Sequence, residues 1–267
     1  MTSSGDATYQ ELLDSAHALA DRSGRCILPY FRQPMVIDNK ASTGFDPVTA
    51  ADRAAEQSIR EELALRHPDH AILGEEFGAT TGASPYTWVI DPIDGTKAFI
   101  TGMPLWGTLI GLTHEGRAIM GLMDQPFTRE RIWAGPDATF WRQNDGGPAR
   151  RVSTRPRVGI EDACLTTTGP QFFAPDELAA FDRVKARARF VRYGGDCYAY
   201  CLLAAGHIDI VVEAGLKPYD IVALIPIIER AGGCITTWDG GRPENGGRIV
   251  AVGDPALHAT VLELLAG

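Results

Sequence analysis

The chain has 267 residues, 45% of them hydrophobic, and a formal net charge of -9, a length that suits one large or two intimately packed domains with an ample core. That charge argues against a general nucleic-acid binder, which needs clustered Lys and Arg to displace counterions from a phosphate backbone. A metal ion or a cationic small molecule is the better-matched partner.

The start of the chain is polar and acidic, without the basic and apolar regions of a secretory signal, so export is not expected and a cytoplasmic location is. Thr8 with Glu11 reads as a capping box, and Leu12, Ala16, Leu19, Ser23 and Ile27 recur at helical spacing toward Phe31, predicting a long first helix. A second helix is expected from Asp46 and Pro47 through Val48, Ala51, Ala55, Ile59 and Leu63, stopping at His67 and Pro68. Short apolar strands follow at Ala71 to Leu73 and Thr87 to Ile90. Each delivers acids at its carboxyl end: Glu75 and Glu76 after the first, Asp91 and Asp94 after the second.

Residues 105–135 predict antiparallel strands turning at Glu115–Gly116 and Gln125–Pro126. The stretch 143–157 carries Gln143, Asn144, Asp145, two glycines, Pro148 and several arginines, and a junction there divides a single 1–267 domain into an N-terminal α+β part, 1–145, and a C-terminal α/β part, 146–267. Beyond it strands and helices alternate, ending in a helix from Pro255, which predicts an α/β half. Pro226 should kink the helix expected from Tyr219 or Asp220 to Ala231, or leave one of its carbonyls free. That helix carries the longest apolar run, Ile221 to Ile228, far short of the roughly 18 residues a membrane span needs. The five cysteines are odd in number and lack CxxC spacing, so they read as reduced core thiols; Cys197 and Cys201 share a helix face.

The chemistry concentrates at Asp91, Pro92, Ile93, Asp94, Gly95 and Thr96. Proline fixes its backbone angle and is expected to turn the chain sharply out of the strand, so that both carboxylates and the Ile93 carbonyl converge on one point. Hard cations such as magnesium prefer such oxygen ligands, usually one or two carboxylates with water and phosphate completing the shell. Gly95 can adopt unusual backbone angles, and Thr96 can open a helix whose amides form an anion site beside the cation. Glu75 joins this group if its strand neighbours the next; otherwise Glu75 and Glu76 are a solvated loop. Asp220 opens an apolar helix, where it serves equally as a first-turn acid or as a rigidly held ligand.

An EE pair, a DP(I/L)DGT run and a distal aromatic-Asp pair, in this order, resemble the inositol monophosphatase family of magnesium-dependent, lithium-sensitive phosphatases. The resemblance implies a layered α-β-α-β-α sugar-phosphatase type fold, a mixed or antiparallel N-terminal sheet beside a smaller α/β half, and a homodimer. It also implies that Glu75, Asp91, the Ile93 carbonyl, Asp94 and Asp220 hold magnesium, in about two or three copies, while Gly95 and Thr96 hold phosphate. The distal aromatic is Tyr219 where the family pattern has Trp. Residues 97–108, 192–198 and 215–220 look like the histidinol-phosphate phosphatase branch. Histidinol phosphate carries an ammonium and an imidazole, for which Asp196 and Glu213 are the expected acids, each also explicable as a helix cap or a solvated strand end. Lys97 and Arg192 could contact the phosphate or restrain an acid.

The expected reaction is phosphomonoester hydrolysis by in-line attack of a metal-activated water, with no nucleic acid or membrane partner. Thr96 would orient the water, Glu75 would act as base, and Asp46 would support Thr96 or a further metal, although N-capping explains Asp46 fully. Inositol monophosphate or another sugar phosphate is the alternative substrate, and a non-catalytic metal-dependent binding protein is the alternative of a different class.

Overall fold

The computed structural model of the protein describes residues 4–34, 36–39 and 47–267. The apolar stripe of the first segment is buried on helix α1 (Ser4–Ile27), which begins before Thr8, so that Thr8 is an interior residue and not the expected N-cap. Strands β1 (Asp38–Asn39) and β2 (Pro47–Val48) pair antiparallel. Helix α2 (Ala50–Arg66) therefore starts later than the expected Asp46–Pro47. The physical reason is a better cap: Thr49 Oγ1 accepts the Ala51 N–H, and the Asp52 carboxylate accepts the Thr49 N–H at 2.9 Å. Asp46 lies outside the described residues.

The first sheet is built from β3 (Ala71–Gly74), β4 (Gly78–Thr80) and β5 (Tyr86–Asp94), then, after helix α3 (Thr96–Ile100), from β6 (Gly107–His114) and β7 (Arg117–Gln125). It is completed by β8 (Glu130–Ala134), β9 (Thr139–Gln143) and β10 (Arg150–Val152), in the order β10-β9-β8-β7-β6-β5-β3-β4. Only the β3–β5 pair is parallel, so the sheet is mixed. Strand β10 carries this sheet past the junction expected at 145–146.

The second half contributes β11 (Cys164–Thr167), α4 (Pro175–Lys185), β12 (Phe190–Tyr193), α5 (Asp196–Ala204) and β13 (Ile210–Leu216). Helices α6 (Pro218–Ile221) and α7 (Leu224–Ala231) follow, then β14 (Cys234–Thr237), β15 (Gly247–Val252) and α8 (Pro255–Ala266). These five strands order as β12-β11-β13-β15-β14, with β11 parallel to both its neighbours and β15 antiparallel to both of its own. The helix expected from Asp220 to Ala231 is two helices, not one kinked at Pro226. The break falls at Val222 and Ala223 because proline's missing N–H frees a carbonyl four residues earlier. Pro226 itself sits in the first turn of α7, where no intrahelical donor is needed.

Strand alternation then sorts the core. Ile110, Leu112 and Leu122 face α1 and α2, whereas Leu109 and Met123, on the same two strands, face α5 and α7. Val211, Ile249 and Ala251 close the far side of that α5–α7 layer, while Ile210, Val212, Val250 and Val252 turn outward to α4 and α8. Five layers result, helix-sheet-helix-sheet-helix. Gly111 and Gly121 face each other across β6 and β7. A Cβ on Gly121 would lie 1.7 Å from the Ala223 carbonyl oxygen and one on Gly111 2.9 Å from the Ala223 nitrogen, so the paired glycines form the hollow that seats the α6–α7 break.

Candidate metal centre and substrate cleft

Strand β5 does not end at its proline as expected. It continues to Asp94, with Asp91 opposite Leu109 and Asp94 opposite Gly107, so three steps on β5 match two on β6. Such a bulge resets the two-residue alternation, which is how carboxylates three apart come to face one point. The Ile93 N–H donates to Asp91 Oδ1 at 3.0 Å, and Thr108 Oγ1 donates to the Pro92 carbonyl at 2.8 Å, pinning the bulge. Gly95 follows at φ 87°, a left-handed angle, and its neighbour in space is the Asp196 side chain, 3.1 Å from where a Cβ would stand.

Asp220 is delivered by the short helix α6 seated over the paired glycines. One carboxylate oxygen from each of Asp91, Asp94 and Asp220 lies within 4.8 Å of the others. Glu75 arrives from β3, which neighbours β5; its N–H donates to the Ile90 carbonyl at 3.2 Å, and its carboxyl makes a hydrogen-bonding contact with Asp91. Asp91 is almost wholly buried, and burial, followed by the charges of Glu75, Asp94 and Asp220, pushes its carboxyl well above the usual range. Asp94 is driven up by burial and by Asp196 and Asp220, against the opposing effect of the Cys197 N–H, which donates to its Oδ2 at 2.6 Å. The charges acting most strongly on both acids are thus other carboxylates. An all-oxygen, negatively charged cluster of this kind fits a hard divalent cation, which would relieve the repulsion.

These residues form one side of a cleft of about 400 Å³ whose lining also includes Gly95, Thr96, Lys97, Asp196 and Glu213. Thr96 Oγ1 donates to the Ile93 carbonyl at 3.2 Å, so that carbonyl already accepts one hydrogen bond. The Lys97 ammonium sits 4.4 Å from the centre of the Phe172 ring. Asp196 opens α5 at φ 43°, a strained angle for a residue with a side chain, directly after two left-handed glycines, Gly194 and Gly195. Burial raises its carboxyl to about 6 against the opposing pull of Lys97. Glu213 is 3% exposed, accepts from Thr167 Oγ1 at 3.1 Å and from the Thr168 N–H and hydroxyl at 2.6 and 2.9 Å, and is raised by burial to about 7. Glu213 is therefore not a solvated strand end, and Asp196 is the first residue of α5 rather than its N-cap, which is Gly195.

Arg192 is not brought into this group: it is exposed on β12, an edge strand, and does not line the cleft. Sequence reading also passes over several residues. Asp52 is fully buried, its Oδ2 accepts the Thr49 hydroxyl at 2.6 Å, its Oδ1 has no hydrogen-bond partner among the described residues, and burial and then Glu75 raise its pKa. Glu56, also fully buried, accepts the Glu76 N–H at 2.7 Å and the Phe77 N–H at 3.2 Å, holding the turn that presents Glu75. The available signal is that Asp52 and Glu56 fall in helical register with Ile59 and Leu63, two acids on an apolar stripe. Tyr200, Thr168, Phe172 and Lys217 line the cleft as well.

Comparison with known proteins gives consistent results. Residues 8–266 match the inositol monophosphatase family. The chain is 43% identical over 260 residues to the chloroplastic bifunctional phosphatase IMPL2 of Arabidopsis thaliana, covering 93% of this chain and 73% of that one. It is 35% identical over 260 residues to a histidinol-phosphatase of Mycobacterium tuberculosis, covering 94% and 96%. Among solved structures, an inositol monophosphatase from Zymomonas mobilis superposes with a TM-score of 0.85 at 38% identity, over 97% of this chain and 99% of that one.

Proposed function

This chain belongs to the inositol monophosphatase family and is a phosphomonoester hydrolase, and from that premise we propose that it is a magnesium-dependent phosphatase acting on histidinol phosphate, releasing histidinol and phosphate. The observation that carries the substrate choice is the pair of acids, Asp196 and Glu213, that line the cleft beside the Asp91, Asp94 and Asp220 cluster, Glu213 buried and Asp196 partly so. Carboxylates in a water-poor wall favour a cationic ligand, and histidinol phosphate presents an ammonium and an imidazole beyond its phosphate. The histidinol-phosphatase relative supports the same choice. Inositol monophosphate or another sugar phosphate is the second reading, supported by the Zymomonas structure.

Magnesium, held by Glu75, Asp91, Asp94, Asp220 and the Ile93 carbonyl, would supply positive charge to the phosphoryl oxygens and lower the pKa of water. The chain's own groups do the rest. Thr96 and Lys97 open a helix whose first-turn N–H groups have no intrahelical acceptor, and these, with the Gly95 backbone, receive phosphoryl oxygens. Thr96 Oγ1, oriented by its bond to the Ile93 carbonyl, accepts a hydrogen bond from the attacking water. Glu75 takes the proton of that water as it attacks in line with the leaving alkoxide. Asp52, whose charge couples to Glu75, is a further supporting acid, and Asp46 keeps the supporting place toward Thr96 or a further metal that the sequence assigns it. Lys97 steadies Asp196 and the phosphate. The proposal extends to a role in histidine biosynthesis and to a homodimer in the cytoplasm.

Phosphate release from a panel of esters tests this reading. Activity is expected on histidinol phosphate only with magnesium, lost on chelation and inhibited by lithium. Release that is indifferent to chelation, or absent from every ester, would overturn it.

A further inference from the structure

Phe172 and Phe173 are adjacent but differ in surroundings. Phe173 is 9% exposed and stacks on Phe181 with ring centres 5.1 Å apart, whereas Phe172 is 38% exposed and lines the cleft. The core thus holds the one-turn helix Pro170–Phe172 by the residue that follows it and leaves an aromatic ring open to ligand. The segment is also fixed ahead of that helix, because Glu213 accepts the Thr168 N–H and hydroxyl at 2.6 and 2.9 Å. The Phe172 ring is already a seat for a cation: the Lys97 ammonium stands 4.4 Å from its centre, within the range of a cation–π contact. Lys97 follows Thr96 in the first turn of α3, where the phosphate is expected. The ring therefore lies beyond the phosphate position by no more than the reach of one lysine side chain, which is also the span of the carbon chain of histidinol.

We infer that Phe172 is a specificity-determining residue whose ring stacks on the imidazole of the substrate once Lys97 has left it for the phosphoryl group. The inference rests on reading the cleft as a site for histidinol phosphate. An exposed cation–π contact is weak, and a phosphate is the stronger partner for an ammonium. Arrival of the substrate therefore bares the ring. In histidinol phosphate the ammonium is on the carbon next to the ester carbon, and the imidazole is one methylene further, so the flat group is the part farthest from the phosphate. An imidazole has an aromatic face that packs on Phe172 and, when protonated, a positive charge that the same ring attracts. Inositol and other sugar phosphates have no such face, so the ring selects by π-surface where Asp196 and Glu213 select by charge.

The test compares magnesium-loaded wild-type enzyme with Phe172→Leu, which keeps apolar bulk and removes the ring, and with Phe172→Tyr, which keeps an aromatic face. Two esters are used: histidinol phosphate and 2-aminopropyl phosphate, which carries the same ammonium and no imidazole. Phe172→Leu is expected to raise KM for histidinol phosphate about five-fold, with the loss in KM rather than kcat. KM for 2-aminopropyl phosphate should change by less than about two-fold, and the thermal midpoint should be unchanged, since the side chain is exposed. Phe172→Tyr should stay within about two-fold of wild type on histidinol phosphate. Equal losses on both esters would make the ring a support for Lys97 alone and overturn the inference, as would a Phe172→Tyr variant as impaired as Phe172→Leu. If wild-type enzyme hydrolyses histidinol phosphate and Phe172→Leu matches it, the inference alone fails. If wild-type enzyme does not hydrolyse that ester, the functional reading fails and the inference falls with it.

Discussion

Asp94 is held from two directions, by the bulge of β5 and by the Cys197 N–H, so its carboxylate is aimed before any ligand arrives. Asp94→Asn keeps the shape and the accepting oxygen but removes a charge. Turnover is expected to fall roughly a thousand-fold, with an unchanged thermal midpoint; near-normal phosphate release would contradict the metal assignment. Asp196 and Glu213 add a pH dependence. Both are acids with raised pKa values, about 6 and about 7, so their attraction for a cation is present above those values and lost as pH falls through them. KM for an aminoalkyl phosphate, whose ammonium stays charged over this range, should therefore fall as pH rises from about 5.5 to 7.5, and Glu213→Gln should remove the upper part of that fall. An ester without a cationic group, such as glycerol phosphate, showing the same profile would refute the assignment. The acids of short motifs, Glu75, Asp91, Asp94 and Asp220, are legible in the sequence because a strand end or helix start fixes where each points. Asp52 and Glu56 are not, because their roles depend on what packs against a helix face.

At the scale of elements, the site depends on a break and a bulge that local patterns describe poorly. Pro226 signals an interruption, but its position four residues past the break follows from the i to i−4 bonding of helices. Pro92 signals an exit from a strand, yet β6 keeps pairing through it and converts the exit into a bulge. The β6–β7 hollow is legible only once Gly111 and Gly121 are seen in register. Gly121→Ala would drive a methyl into the Ala223 carbonyl, and overpacking of this kind costs about 1–3 kcal/mol. The α6–α7 junction must then shift, and Asp220 with it. A lower thermal midpoint together with lower kcat is expected; lost stability with kcat preserved would show that Asp220 is positioned by something else.

Across the whole molecule, the alternating strands and helices of the second half and the apolar stripes of α1 and α2 make the layered architecture readable from sequence. What sequence leaves open is which strands share a sheet. The β10 strand joins the first sheet through pairing with β9, although its own residues, Arg150, Arg151 and Val152, carry little strand character. The five layers bring acids from β5, α5, α6 and β13 into one cleft, and that has a price in stability. For carboxylates whose folded pKa is raised, the folded state binds protons more tightly than the unfolded chain, so stability is greatest below the unfolded values near 4 and declines as pH rises to about 7. Magnesium should raise the thermal midpoint more at pH 8 than at pH 6, as followed by differential scanning fluorimetry; an equal or smaller shift at pH 8 would contradict the clustered-acid description. The most direct measurement is kcat/KM for histidinol phosphate against inositol monophosphate under saturating magnesium. A preference for histidinol phosphate of about a hundred-fold or more is expected from two cleft acids facing a cation, and equal values or a preference for inositol monophosphate would contradict the account.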